Sequence, residues 1–449
     1  MSRFSRTSSN GISSNGSSTK SESGSLGQGR GMQARHVVSA TRGEAIATLD
    51  VGSTKIAFII AVPTPTGVDV VGVGNVPNHS LRKGVVVDIE ATTEAIKKAR
   101  DEAELMAGFS VEEVLVGISG SHLKSFDSKG IVAIADREVT QSDVDRVVEA
   151  AKTVAVPADR QVLHVLPREF KIDDQDGIRD PIGMAGVRLE ASVHIVTGGF
   201  TAIQNLTKCA ERAGLKIKEF VLESLAASYS VLSQDEKTLG AVVVDMGGGT
   251  SDVLIYTQGS VSYSASLPIG GLHVTNDVAM GLRTPHSNAE TLKKKFGCAL
   301  ASIVDPQETV EVEGVGGRQE RTVLRQYLCE VIEPRVEETL NLIHNEIQRS
   351  GLSPMVGSGI VITGGGSLLD GLIELGEFVF DMPVRRGLPR LVGGLTDAVK
   401  SPIFANSLGL VFYSIDKNPP RFVSERPEGV NLSPRMFVTK LKNLIDGAF

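Results

Sequence analysis

The sequence predicts an α/β protein made of two related domains that face each other across a cleft. Three observations carry this. A strand, an acid, a glycine-bearing turn with hydroxyl residues and a second strand occur together twice, at IATLDVGSTKIAFII (46–60) and AVVVDMGGGTSDVLIYT (241–257). Strand-like and helix-like runs alternate after each copy, the pattern of a layered α/β domain. Between the copies, residues 121–197 read as a β-α-β-β unit of different texture, a small inserted domain.

In chain order, residues 1–43 are rich in Ser, Gly and Asn with a few arginines, and bury too little apolar surface to offset ordering entropy; a disordered tail is expected. Strands are expected at 46–51, 55–62 and 68–75. The helix EATTEAIKKARDEAELMAG follows, with Ile96, Ala99, Ala103 and Met106 on one face and Gly108 as its stop. EEVLVGIS (112–119) returns as a strand. In the inserted block, a strand at 123–134 leads to a helix whose Val144, Val147, Val148 and Ala151 form one stripe, and strands follow near 161–171 and 187–196. FTAIQNLTKCAERAG is a helix ending at Gly214. Residues 286–350 are mostly helical and more polar, and GIVITGGGSLLDG (359–371) is a strand that runs into glycines and then a helix. His164, His194 and His273 stand singly in or near apolar strands and read as satisfied core histidines.

Bulk properties narrow the function. With 449 residues, 41% of them hydrophobic, the chain can form two or more domains. A formal charge of −7 and no Trp argue against a nucleic-acid partner. Cys209, Cys298 and Cys329 form no C-x-x-C pair, so neither a disulfide framework nor a zinc site is expected. No apolar run is long enough to span a bilayer and no secretory h-region is present, which points to the cytoplasm.

Two facing hairpins with bare turns can offer backbone N–H groups to a polyanion from both sides. Glycine removes the Cβ that would block the approach, and successive amides form nests for phosphate oxygens. Gly52, Gly247, Gly248 and Gly249 supply the bare backbone; Ser53, Thr54, Thr250 and Ser251 add hydroxyls, and Lys55 adds a cation. Asp50 and Asp245 suit Mg²⁺ held through its water shell, because that ion dehydrates reluctantly. At ITGGGSLL, Gly364, Gly365 and Gly366 would let the backbone pass close to a flat ligand such as adenine and ribose; a plain strand–helix turn is the alternative.

Taken in order, AVVVDMGGGTSDVLIY, LPIGGLHVTNDVAMGL, AETLKKKFGCAL, VEVEGVGGR and EVIEPR resemble the actin and heat-shock-chaperone ATPase superfamily. Within it they are most similar to the bacterial FtsA cell-division family, over about residues 44–413 plus the terminal helix. The resemblance implies an actin-like ATPase fold with ATP and Mg²⁺ as cofactors. It divides the chain into subdomain 1A (44–120, 198–238 and 401–413), an FtsA-type inserted subdomain 1C (121–197), 2A (239–285 and 356–400) and 2B (286–355). A linker at 414–433 and an amphipathic helix at 434–449 complete the chain.

By the same resemblance, Glu290 and Lys293 lie on the helix that reaches ribose and adenine; a solvated charged face is the plain alternative. Glu223 falls where chaperones place an acid near the attacking water, and Asp245 acting through Mg²⁺ is the other candidate. A helix N-terminal acid favoured by the dipole explains Glu223 equally simply. Turnover is left open, with nucleotide mainly controlling assembly. Partners implied are the C-terminal tail of the tubulin-like FtsZ at 286–350, with Arg335 and Glu338 as charged contacts, and later division proteins on 121–197. Further copies of the chain in filaments are also implied.

In PRMFVTKLKNLIDGAF, Phe437, Leu441, Leu444, Ile445 and Ala448 recur on one helical face, with Lys440 at its flank, Lys442 opposite and Phe449 at the end. An interfacial membrane anchor is expected; a helix packed on its own body is the alternative. Five large apolar side chains bound the gain at about 10 kcal/mol, and partial immersion and helix nucleation remove much of it. One copy would hold transiently, whereas a polymer would bind through avidity. The reading is a peripheral protein on the cytoplasmic face of the inner membrane at the division site, tethering the FtsZ ring. A pilus-assembly ATPase-like scaffold and a small-metabolite kinase of the same fold are the competing functions.

Overall fold

The computed structural model describes residues 45–419 apart from 155, 317 and 318. The tail at 1–43, most of the expected linker and the whole terminal helix, with Phe437, Lys440, Leu441, Lys442, Leu444, Ile445 and Phe449, lie outside the described residues.

The first domain opens with an antiparallel meander, β1 (Ile46–Val51), β2 (Lys55–Thr64) and β3 (Gly67–Pro77). A two-residue pair, β4 (Leu81–Arg82) and β5 (Val85–Val86), precedes α1 (Ile89–Ala107) and β6 (Glu113–Ile118). The inserted unit holds β7 (Lys124–Ala133), α2 (Gln141–Lys152), β8 (Arg160–Ile172), β9 (Gln175–Ile178) and β10 (Arg188–Gly199). Its strands form a separate sheet in the order β7-β10-β8-β9, covered by α2 through Val147 and Ala151. The chain then returns through α3 (Phe200–Arg212), β11 (Lys216–Leu222) and α4 (Glu223–Val231).

After α5 (Gln234–Leu239) the second domain repeats the plan with β12 (Ala241–Met246), β13 (Ser251–Thr257), β14 (Ser260–Leu267) and α6 (Gly271–Gly281). Next come α7 (His286–Phe296), the hairpin β15 (Thr309–Val312) and β16 (Arg321–Leu324), and α8 (Arg325–Arg349). The described residues finish with β17 (Ile360–Thr363), α9 (Leu372–Phe380), β18 (Val384–Arg386), β19 (Gly393–Gly394), α10 (Thr396–Val399) and α11 (Ala405–Lys417).

The two main sheets have one topology. The first runs β11-β6-β1-β2-β3, with β19 added at its edge, and the second runs β18-β17-β12-β13-β14. In both, the meander is antiparallel and the two later strands join parallel to the first. The parallel strands are covered on both faces, which explains the unbroken apolar runs AVVV and IVIT. Helices α4 and α11 lie between the sheets and share one core with both, through Leu225, Ala226, Leu410 and Tyr413. A Cβ on Gly409 would overlap the carbonyl oxygen of Ala226, so glycine lets the two helices meet backbone to backbone.

Several expectations are corrected in detail. Met106 is 59% exposed, because the buried face of α1 is carried by Ile96, Ala99 and Ala103 and has rotated away by the last turn. The inserted unit has a fourth short strand, β9, and the polar stretch 286–350 includes the β15–β16 hairpin. Helix α11 runs to Lys417, four residues into the stretch read as linker. Two core histidines are satisfied. His164 accepts from the Leu222 amide at 3.0 Å, and His194 sits between Asp127 (2.8 Å) and Ser264 (2.9 Å). His273 is different: it caps the start of α6, where its Nδ1 accepts from the Gly270 amide at 3.2 Å.

Candidate functional site

The repeated sequence pattern folds as one repeated turn. In the first hairpin the Gly52 amide donates to the Lys55 carbonyl at 2.9 Å; in the second the Gly247 amide donates to the Thr250 carbonyl, also at 2.9 Å. Each glycine stands two residues after an acid, Asp50 or Asp245, at the end of the first strand of its domain. The turns meet tip to tip. A Cβ on Gly248 would overlap the Thr54 methyl, and one on Gly249 would lie 2.5 Å from Ser53 Oγ. Among the described residues, the amides of Ser53, Thr54, Gly248 and Gly249 have no hydrogen-bond acceptor. The carbonyls of Gly247 and Gly248 are taken by the start of α6, through Gly271 N at 3.0 Å and Leu272 N at 2.8 Å.

Four carboxylates gather behind the turns. Asp50, 3% exposed, accepts from Lys55 Nζ at 2.9 Å and from Ser407 Oγ at 3.1 Å. Asp245 accepts from Asn406 Nδ2 at 2.7 Å. Asn406 and Ser407 belong to the first turn of α11, so the helix shared by the two domains holds one acid of each. Glu223, the first residue of α4, fits because Gly117 on β6 has no side chain; a Cβ there would stand 3.1 Å from its Cγ. The fourth acid, Asp252, faces Asp245 across β12–β13, at the register position where the first hairpin has Ala57 facing Asp50. Ser119, from the first domain, donates to Asp252 at 2.6 Å and lies 3.1 Å from the Thr250 hydroxyl.

One carboxylate oxygen each from Glu223, Asp245 and Asp252 lie within 4.8 Å of one another. Burial, joined by the charges of Asp50, Asp252 and Asp245, pushes Glu223 well above the usual carboxylate range. Asp245 is pushed up to about 7 by burial and the Asp252 charge, against the pull of Asn406. Asp252 is also raised, by burial. Among the described residues Oδ1 of Asp252 and Oδ1 of Asn406 are buried without a partner. Crowded, dehydrated acids with an unpaired oxygen and a single lysine are a donor set that fits a hard divalent cation.

The sequence-predicted residues within the described chain fall into four groups. Asp50, Gly52, Ser53, Thr54, Lys55, Glu223, Asp245, Gly247, Gly248, Gly249 and Thr250 converge as described; the Ser251 hydroxyl instead donates to the Ile269 carbonyl at 2.8 Å, inside the second domain. Glu290 and Lys293 pair with each other at 2.7 Å on α7, and Lys293 also reaches the Gly271 carbonyl at 3.0 Å, beside the glycine turn. Burial would raise Glu290, but Lys293 and Thr275 bring it down to about 2. Gly364 and Gly366 pack on Met246, and Gly364 has φ of +80° with no room for a Cβ beside Asp245; Gly365 alone is open on its side-chain face. Arg335 lies on α8, where it pairs with Asp277 of α6 and with Glu338 on its own helix. Sequence reasoning missed Asp252, Ser119, Asn406 and Ser407. An acid inside the apolar run SDVLIYT was the one available signal.

Two five-stranded layers of one topology, joined by facing hairpins, define an actin-like α/β fold. Solved structures agree: a PilM–PilN type IV pilus biogenesis complex (TM-score 0.60, 15% identity, 82% of this chain and 98% of that one), and MreB5 of Spiroplasma citri bound to ADP (TM-score 0.53, 14% identity, 84% and 98%). A family model described as cell division protein FtsA matches residues 242–409, and one described as the SHS2 domain inserted in FtsA matches 120–197. The FtsA of Pseudomonas aeruginosa is 48% identical over 85% of this chain and 92% of its own length. That of Escherichia coli K12 is 41% identical over 84% and 92%. The chain belongs to the FtsA family of cell-division proteins.

Proposed function

We propose that this chain is an ATP-binding, actin-like polymerising adaptor that tethers the FtsZ ring to the inner membrane and recruits later division proteins. The observation that supports it best is the pair of facing turns with free amides in front of a crowded group of buried acids. The amides of Ser53, Thr54, Gly248 and Gly249 would bind phosphate oxygens, with Lys55 and the hydroxyl of Thr250 beside them. Asp50 and Asp245 would hold Mg²⁺, which supplies charge neutralisation for the phosphates. Asn406 and Ser407 keep those two acids in place from the shared helix, so that a change at the cleft bears directly on the packing between domains.

FtsZ's tail would use the 286–355 subdomain near Arg335 and Glu338, and later division proteins the inserted unit at 121–197. The 434–449 helix would supply the lipid contact. Among the described residues no helix is long and apolar enough to cross a membrane. Calorimetric titration with ATP tests the cleft: binding should require Mg²⁺ and disappear in Asp245→Ala. Electron microscopy on lipid monolayers with ATP and FtsZ tests the adaptor, which should form filaments that recruit FtsZ and vanish on removal of residues 434–449. ATP binding that is indifferent to Mg²⁺ and to Asp245 would overturn the site reading.

A further inference from the structure

We propose that Lys83 is a third arm of the phosphate cradle and the residue that distinguishes ATP from ADP. The inference rests on the ATP-binding reading above. Strands β4 and β5 pair as Leu81↔Val86 and Arg82↔Val85, which leaves Lys83–Gly84 as a two-residue turn. Both turn residues have positive φ, +54° for Lys83 and +76° for Gly84. Such a turn favours Asn or Gly at its first position, and a lysine there costs about 1 kcal/mol or more. Asp173 and Gln258 adopt similar φ at outlying hairpin tips, so position decides the matter rather than strain.

The position is fixed from three sides. Asn78 donates its side-chain amide to the Gly52 carbonyl at 2.8 Å and its backbone amide to Thr54 at 3.0 Å, which docks the loop on the first hairpin. Ser80 locks Asn78 through its hydroxyl at 2.6 Å. Gly84 packs so tightly on Ser119–Gly120 that a Cβ would lie 2.5 Å from either, and Ser121 donates to the Lys83 carbonyl at 3.3 Å. The result is that the Lys83 amide nitrogen stands 3.5 Å from where a Gly249 side chain would begin, next to Ser53. Three chain segments distant in sequence thus converge on one spot between the hairpin tips.

Charge gives that spot its meaning. The cleft acids Asp50, Glu223, Asp245 and Asp252 face Lys55, which is already engaged by Asp50, and Lys293 is engaged by Glu290. Lys83 is exposed and, among the described residues, forms no ion pair. A triphosphate is best met by a cation that no carboxylate has claimed; the Lys83 backbone stands at the junction of the two turns, and from there its ammonium would swing onto the terminal phosphate. Adenosine, without phosphates, would not touch it.

The test is titration of the full chain with ATP, ADP and adenosine in Mg²⁺, for the native protein and for Lys83→Ala, Lys83→Gly and Lys83→Arg. Loss of this contact should weaken ATP about tenfold in the first two variants, the scale of one hydrogen bond to a charged group. ADP should change by no more than about twofold and adenosine not at all, while Lys83→Arg should recover part of the loss. Lys83→Gly should also melt higher than the native chain, which separates a lost contact from a damaged fold. An unchanged ATP-to-ADP ratio in a native protein that binds ATP sinks the Lys83 assignment alone. A native chain that binds neither nucleotide sinks the cleft reading with it.

Discussion

The amide of Leu222 donates to Nε2 of His164 at 3.0 Å, so the inserted unit holds the residue from which Glu223 and helix α4 begin. Leu222 has no side-chain cap to offer the helix, and its own amide would be buried without this acceptor. The bond also fixes the imidazole: Nε2 accepts, so Nδ1 carries the proton of the neutral ring. The acid cluster is therefore connected to the inserted unit by a contact that depends on His164 staying neutral.

Burial holds His164 down at about 4, against an unperturbed value of 6.5. Between those values the unfolded chain binds the extra proton, so the stability tied to His164 is present above pH 6.5 and is lost as pH falls through 4. At pH 5 the loss is about 2 kcal/mol. His164→Gln keeps an acceptor and removes the titration. Its melting curve should stay flatter than the native one between pH 6.5 and 4.5, and equal slopes for the two proteins would contradict the assignment.

The buried acids act with the opposite sign. Asp245 has its folded value raised to about 7 from 3.8, so its contribution to stability is fully present below pH 4 and is lost as pH rises through 7. Asp245→Asn should raise the melting temperature by a few degrees at pH 8 in chelator, by less at pH 5, and change little at pH 3.5. Differential scanning calorimetry of the two proteins at the three pH values checks this. A lower melting temperature for the variant at pH 8 would show that Asp245 is not a burdened acid.

Gly364 is required by two independent constraints. Its φ of +80° strains any L side chain, and a Cβ would overlap the Asp245 carboxylate and lie 2.7 Å from the Met246 carbonyl oxygen. Gly364→Ala should destabilise the chain by about 2 kcal/mol or more in urea and shift Asp245 enough to weaken Mg²⁺-dependent ATP binding. Gly365→Ala meets only Ile403 at 3.6 Å and should leave stability nearly unchanged, the internal control for the pair.

Legibility in the sequence followed how local each feature was. The hairpins were readable because acid, glycine and hydroxyl lie within six residues, and the shared topology followed from seeing that pattern twice. Asp252 was passed over because an acid in a strand ordinarily points to solvent, whereas this one is 1% exposed and held by Ser119 of the other domain. Asn406 and Ser407 reach acids more than a hundred and fifty residues away in sequence, and no spacing rule reports such pairs. Lys83 lies between the 68–75 strand and the first helix, in a stretch with no periodicity or motif to single it out. Met106 was misplaced because a helical period read over several turns drifts off the buried face by its last turn.

Glu223 decides what the cleft can do beyond binding. It is 7% exposed, and burial together with three neighbouring acids raises it well above the carboxylate range. Both effects favour the protonated carboxyl, which weakens Glu223 as a proton acceptor in the metal-free protein. At the start of α4 it has a long 3.5 Å contact from Asn406 Nδ2, whereas Asp50 and Asp245 are held at 3.1 Å or less by α11 and Lys55, so Glu223 would be the freest of the three to orient water. Glu223→Gln keeps the shape and removes the titration. Its ATP affinity should stay within about twofold, while single-turnover ADP formation should fall about 100-fold wherever the native chain forms ADP. Equal ADP formation by the two proteins would move the base to Asp245 or Asp252, and the matching Asp252→Asn measurement would choose between them.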